Sequence, residues 1–189
     1  MWAKTAICVA AANRWSMAKP ARFILPGLIT AALTFLADQA VKAWVSGPLA
    51  LPLVGQIEVM PLFRLTWAEN RGVSLGLMAG DTAHSRWLLV ALTGAIALGV
   101  LYWMWRETAK ADVMALGLVL GGALGNIADR ITDGFVTDYA DLHFGSFRPF
   151  MIFNLADAAI SIGVVIILAR SLLSGEKRGN QPATHAPEI

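Results

Sequence analysis

Residues 87–105 form a run of 19 with no charged side chain and no polar face, a pattern that leaves few folds open. A helix needs about 20 mostly apolar residues to cross roughly 30 Å of hydrocarbon. Residues 23–37 and 113–128 are also free of charge, and residues 149–169 hold Asp157 as their only charged group. Four membrane spans therefore fit the chain. A soluble bundle with a greasy core is the competing reading, but its helices would carry amphipathic stripes, and 87–105 carries none. Hydrophobic residues make up 57% of the chain and charged ones 15%, with mean hydropathy +0.60, which also sets it apart from an ordinary soluble domain.

The remaining composition mostly excludes. A net charge of +2, with no run of Lys and Arg interleaved with aromatics, gives no footprint for nucleic acid. One cysteine, Cys8, rules out an internal disulfide or a cysteine-based metal site, and it precedes any adequate apolar run. His84, His143 and His185 are scattered, and the first two are expected in loops. Positive charge divides unevenly among the connections. Lys4, Arg14, Lys19 and Arg22 precede the first span, Arg106 and Lys110 sit in the second turn, and Arg170, Lys177 and Arg178 follow the last span. The positive-inside rule then puts both termini in the cytoplasm. Residues 1–20 read as a cytoplasmic extension, with Met17 an alternative start, residues 21–173 as the membrane domain, and 174–189 as a disordered tail.

The longest non-spanning segment, 46–86, lies outside in this orientation. Residues 56–60 and 63–67 alternate as strands do, with Pro61 between them, so a small sheet against the outer membrane face is expected. The second outer connection, 131–148, is short and carries Asp133, Asp138 and Asp141.

Polar groups recur at helical spacing near the outer ends of three spans. Asp38 and Lys42 are four apart, and an intrahelical ion pair is the simplest reading. Asn126, Asp129 and Arg130 share one face, behind Gly121, Gly122 and Gly125, which would let another helix approach closely. Asp129 and Arg130 read as an ion pair or a helix-end anchor. Asn154 and Asp157 repeat the three-residue spacing. Asp138 and Asp157 stand out because no cation lies near either in sequence. A carboxylate inside a membrane costs roughly 2.5 kcal/mol or more at a helix centre, so such groups are seldom kept without a use. Two close carboxylates cannot both ionise cheaply, so one keeps a proton. That pair suits amide hydrolysis: the ionised group activates water and the neutral one protonates the carbonyl oxygen. Two other classes compete. A proton-coupled transporter would want repeats or a relay across the membrane, and the acidic groups instead cluster toward one face. A scaffold locked by polar contacts would explain Asn126 and Asp129 but leave Asp138 and Asp157 idle.

Five motifs occur in order: Asp38-Gln39-Ala40-Val41-Lys42, Asn70-Arg71-Gly72-Val73-Ser74-Leu75, the stretch 121–130 ending Asn126-Ile127-Ala128-Asp129-Arg130, Gly134-Phe135-Val136-Thr137-Asp138-Tyr139, and Phe153-Asn154-Leu155-Ala156-Asp157. Together, across residues 22–172, they resemble the signal peptidase II family of bacterial membrane aspartic proteases. The resemblance implies an all-α membrane protein of four transmembrane helices with a small extracytoplasmic β-sheet. It implies Asp138 and Asp157 as the catalytic pair, with Asp38, Lys42, Asn70, Gly72, Asn126, Asp129, Arg130 and Asn154 shaping or supporting the site. It further implies cleavage just before a diacylglyceryl-modified cysteine of prolipoproteins, without metal or organic cofactor. The setting would be the bacterial inner membrane, with the site near its outer face and membrane lipid around an expected monomer. Val41, Val73 and Leu75 depart from the family's usual residues, which bears on substrate lining rather than on the chemistry.

Overall fold

The computed structural model describes residues 23–72, 83–144, 147 and 149–179, with the backbone alone at 83 and 174–179. The 1–20 extension, Cys8, His185, Val73 and Leu75 lie outside the described residues. Four long helices account for the apolar runs: α1 (Ile24–Ser46), α3 (Ala83–Arg106), α4 (Lys110–Thr132) and α5 (Leu155–Gly179). Each is long and apolar enough to cross a membrane. Their outward faces are hydrophobic, with Leu25, Leu33, Leu98, Val165 and Leu172 all more than half exposed. Such faces are stable only where the surrounding medium is itself apolar.

Helix α4 is the hub, packing on α1, α5 and α3, and glycines set how closely. A Cβ at Gly121 would run into the Ala31 carbonyl of α1, and one at Gly122 would come within 2.5 Å of the Ala156 carbonyl of α5. Adjacent glycines thus open α4 toward two neighbours at once, so backbones touch without bulky side chains between them. Ala31, Ala97, Met104, Val113, Leu116 and Leu120 form the dry core of α1, α3 and α4.

The non-spanning chain builds a three-stranded antiparallel sheet in the order β1-β2-β3, from β1 (Gln56–Met60), β2 (Phe63–Asn70) and β3 (Val136–Leu142). A one-turn helix, α2 (Leu51–Val54), leads into it. The first two strands fall where alternation places them, with β2 running on to Asn70. The third corrects the reading of 131–148 as a loop. Val136, Thr137, Asp138, Tyr139, Ala140 and Asp141 are all buried, so β3 has no exposed face to produce an alternating pattern. His84 likewise belongs to α3 rather than a loop, and His143 is buried beside the sheet. The fourth span begins at Leu155 rather than near 149. Residues before it run extended, and Phe153 exchanges backbone hydrogen bonds with Ala140. At its other end α5 continues to Gly179, into the stretch expected as tail; residues 180–189 lie outside the described residues.

Candidate active site

The C-terminal ends of α1 and α4 and the N-terminal end of α5 meet the edge of the sheet, and the polar residues of all four elements join in one hydrogen-bonded network. Its base is a buried charge cluster. Lys42 Nζ lies 2.7 Å from Asp38 Oδ2, 2.8 Å from Asp129 Oδ2 and 3.2 Å from Asn126 Oδ1, so each of its three hydrogens has an acceptor. Two carboxylates on one ammonium need further donors. Asp38 Oδ1 accepts from the Ala156 N–H at 3.0 Å, and Asp129 Oδ2 from the Thr137 N–H at 3.2 Å. Gln39 Nε2 donates to Asp129 Oδ1 at 2.9 Å. Buried ions hold a fold together only when their leftover lone pairs are met in this way. Gly125 makes room for the cluster, since a Cβ there would sit 2.5 Å from Asp38 Oδ2.

Two asparagines carry the network from the cluster to Asp157 and Asp138. Asn126 accepts from Lys42 through Oδ1, which fixes its amide, and Nδ2 donates to Asp157 Oδ1 at 2.8 Å. Asn154 immediately precedes α5, and its Oδ1 accepts from the Asp157 N–H at 2.9 Å. Its own N–H donates back to Asp157 Oδ2 at 3.3 Å. This reciprocal arrangement is a capping box, which satisfies the first turn of α5 and pins the Asp157 carboxylate at the same time. The Asn154 side chain also reaches across to the strand, where Nδ2 lies 2.6 Å from Asp138 Oδ1. One residue therefore holds both aspartates.

The sheet fixes Asp138 from the other side. Asn70, at the end of β2, donates from Nδ2 to Asp138 Oδ2 at 3.1 Å and accepts the Gly72 N–H through Oδ1 at 3.0 Å. Gly72 has φ +78°, a left-handed conformation that favours glycine, and a Cβ there would collide with Leu89 of α3. Burial, and then the neighbouring Asp157, push the Asp138 carboxyl up to about 6, against the opposing pull of Asn70, Asn154 and Lys42. The adjacent Tyr139 hydroxyl accepts from the Leu155 N–H at 3.1 Å, and burial raises that phenol to about 12.

Asp138 and Asp157 both line a groove of about 1350 Å³. Asn70 and Arg71 lie along its polar edge, and Phe150, Met151, Ala158 and Ile162 supply apolar wall. Among the described residues, no group of three or more His, Cys, Asp or Glu is placed to hold a metal ion.

All ten residues singled out from sequence fall in or beside this network, but one pairing differs. Asp129 pairs with Lys42 rather than with Arg130. Arg130 instead anchors its own helix end, donating from Nη1 to the Asn126 carbonyl at 3.1 Å. Gln39 was not singled out, although an uncharged amide inside a spanning helix is itself a signal. The extended wall at 149–153 was hidden because its apolar residues read as the start of the fourth span.

A family model described as signal peptidase (SPase) II matches residues 30–173, an interval that contains all five motifs. The chain belongs to the signal peptidase II family. Among its relatives, a lipoprotein signal peptidase of Sphingopyxis alaskensis is 59% identical over 157 residues, covering 83% of this chain and 91% of the relative. One of Rhizorhabdus wittichii is 52% identical over 152 residues, or 80% and 88% of the two chains. Two solved structures, described as bacterial membrane enzymes determined by the in meso method, share the fold, each with a TM-score of 0.70. Their identities are 25% and 27%, and they match 90% and 82% of this chain and 99% and 97% of their own.

Proposed function

We propose that Asp138 and Asp157 are the catalytic pair with which this signal peptidase II removes signal peptides from prolipoproteins. The observation that carries the assignment is the double role of Asn154, which donates to Asp138 and forms a capping box with Asp157, at the head of one groove. In the reaction, the ionised member of the pair takes a proton from water as the oxygen adds to the scissile carbonyl. The neutral member gives its proton to the carbonyl oxygen. Collapse of the tetrahedral intermediate breaks the C–N bond: the proton held by the first carboxyl goes to the departing amine, and the second, now ionised, takes back a hydroxyl proton as the new carboxyl group forms. Asp138, with its acidity weakened by burial, is suited to share a proton near neutral pH. Asp38, Lys42, Asn126 and Asp129 act at a distance, by holding Asp157 and the start of α5 in place. Asn70 and Gly72 do the same for Asp138, and Arg130 supports the α4 end behind the site.

The substrate is a prolipoprotein cut just before a cysteine that carries a diacylglyceryl group. An acylated cysteine and an apolar signal peptide gain nothing by leaving lipid, so both enter the groove sideways. The apolar wall from Phe150 and Met151, 63% and 75% exposed, supports that route. The enzyme is a monomer of the bacterial inner membrane, with both termini cytoplasmic, the groove at the outer face and residues 21–173 as the working unit. The charge bias among the connections supports that orientation. A transporter or scaffold role is not favoured, because Asp138 and Asp157 converge on one groove at one end of the bundle.

Mass analysis of a model precursor incubated with the purified protein tests this reading. The lipid-modified precursor should be cut once, immediately before its modified cysteine, and the unmodified precursor should be left whole. Equal cutting of both, or cutting elsewhere, contradicts the substrate assignment.

A further inference from the structure

Three hydroxyls on the spanning helices bond back to their own backbone. Thr30 donates to the Pro26 carbonyl at 2.9 Å, Thr93 to that of Leu89 at 2.6 Å, and Thr132 to that of Ala128 at 3.1 Å. That is the usual recourse where little water is available. Thr34, Ser46, Ser161 and Ser171 have no such bond, and of these four Ser161 alone lines the groove. Thr34 is packed over Gly121 at the contact of α1 with α4. Ser161 is different: its side chain is exposed, it lines the groove, and it has no hydrogen-bond partner among the described residues.

Ser161 lies four residues after Asp157, on the same face of α5 and about 6 Å farther from the outer end of the helix. Its groove neighbours on the helix, Ala158 and Ile162, offer no hydrogen bond. A substrate at this depth thus meets a single side-chain donor in an apolar wall. Below its last turn, which adjoins the scissile bond, a signal peptide arriving as a helix has its carbonyls bonded internally and offers no acceptor. The diacylglyceryl group does. Its ester carbonyls hang a few bonds from the cysteine Cα, through the thioether and the glycerol carbons, a reach comparable to one helical turn.

We infer that Ser161 is a specificity-determining residue whose hydroxyl donates a hydrogen bond to an ester carbonyl of the substrate's diacylglyceryl group. The inference rests on the reading of the groove as the site of prolipoprotein cleavage. Acyl chains alone would be held equally well by any apolar wall; the hydroxyl distinguishes a glyceryl ester from a plain hydrocarbon.

The test uses the full-length protein and two lipid-modified precursors, one with a diester glyceryl group and one with the matching diether, which lacks both carbonyls. With the wild-type protein the diether precursor should show a KM roughly threefold to tenfold higher, the worth of one neutral hydrogen bond. Ser161→Ala should raise KM for the diester by a similar factor, leave kcat nearly unchanged, and leave KM for the diether where it was. An unchanged KM for the diester would overturn the inference, and so would an equal rise for both precursors. If the wild-type protein cut neither precursor, the reading of function would fail, and this inference with it.

Discussion

Asp138 and Asp157 are each held by donors on both carboxylate oxygens, and the environment of Asp138 can be read from its titration. Because the Asp138 carboxyl is raised to about 6 by burial and by Asp157, its proton is retained above the usual carboxylate range and lost as pH rises through that value. The pH profile of kcat/KM should therefore show an alkaline limb with an apparent midpoint at about 6 or above, belonging to the pair rather than to one residue. A profile flat to pH 9 would contradict a shared proton. The sign for stability follows from the same shift. Between the ordinary value of 3.8 and about 6, the folded state binds the proton more tightly, so ionising Asp138 weakens the fold as pH rises through that window. Asn154 is the residue whose loss should be felt at both carboxylates. Asn154→Ala should lower kcat by about 10²-fold through misplacement and cost about 1 kcal/mol through the lost cap. Initial rates and thermal midpoints in detergent separate the two effects, and an unchanged kcat would remove Asn154 from the site.

Helices and strands meet at this site through pairings that no single element reveals. The Asp38–Lys42 pair was legible because both partners lie on one helix. The partner of Asp129 was not, because Lys42 reaches it from α1 across a helix interface, while Arg130 is merely adjacent in sequence. Lys42→Met should leave two buried carboxylates without their cation and destabilise the protein by about 3–5 kcal/mol, visible as a large fall in thermal midpoint. A midpoint within a degree or two of wild type would deny the cluster its structural role. In sequence Asp141 falls outside the five motifs, within the connection 131–148; in β3 it is buried and lies 2.7 Å from Arg64 Nε of β2. Asp141→Asn should therefore loosen the sheet and lower stability, whereas Asp133→Asn, at an exposed turn, should leave stability and activity near wild type. The strand itself was hidden for a physical reason, since a chain buried on both faces loses the alternation by which half-buried strands are recognised.

Across the whole molecule, the four spans were plain from apolar length, three of the runs being free of charge, and the five motifs contained the residues of the polar network before any contact was visible. What sequence could not show was how a helix cap, a strand and a buried lysine converge, because those contacts join residues as far apart as Asp38 and Ala156. The convergence makes the central claim testable in a few variants. Membranes carrying Asp138→Asn, Asp157→Asn, the double variant or the Asp133→Asn control would be given a lipid-modified precursor, and its conversion to the mature form followed. Each single dyad variant should abolish cleavage almost completely while the protein still inserts and folds, because an amide neither takes nor supplies the proton. The double variant should be little worse than either single one, as expected of groups that act as a unit. The control should keep most of its activity. Substantial conversion by Asp138→Asn or by Asp157→Asn would contradict the account.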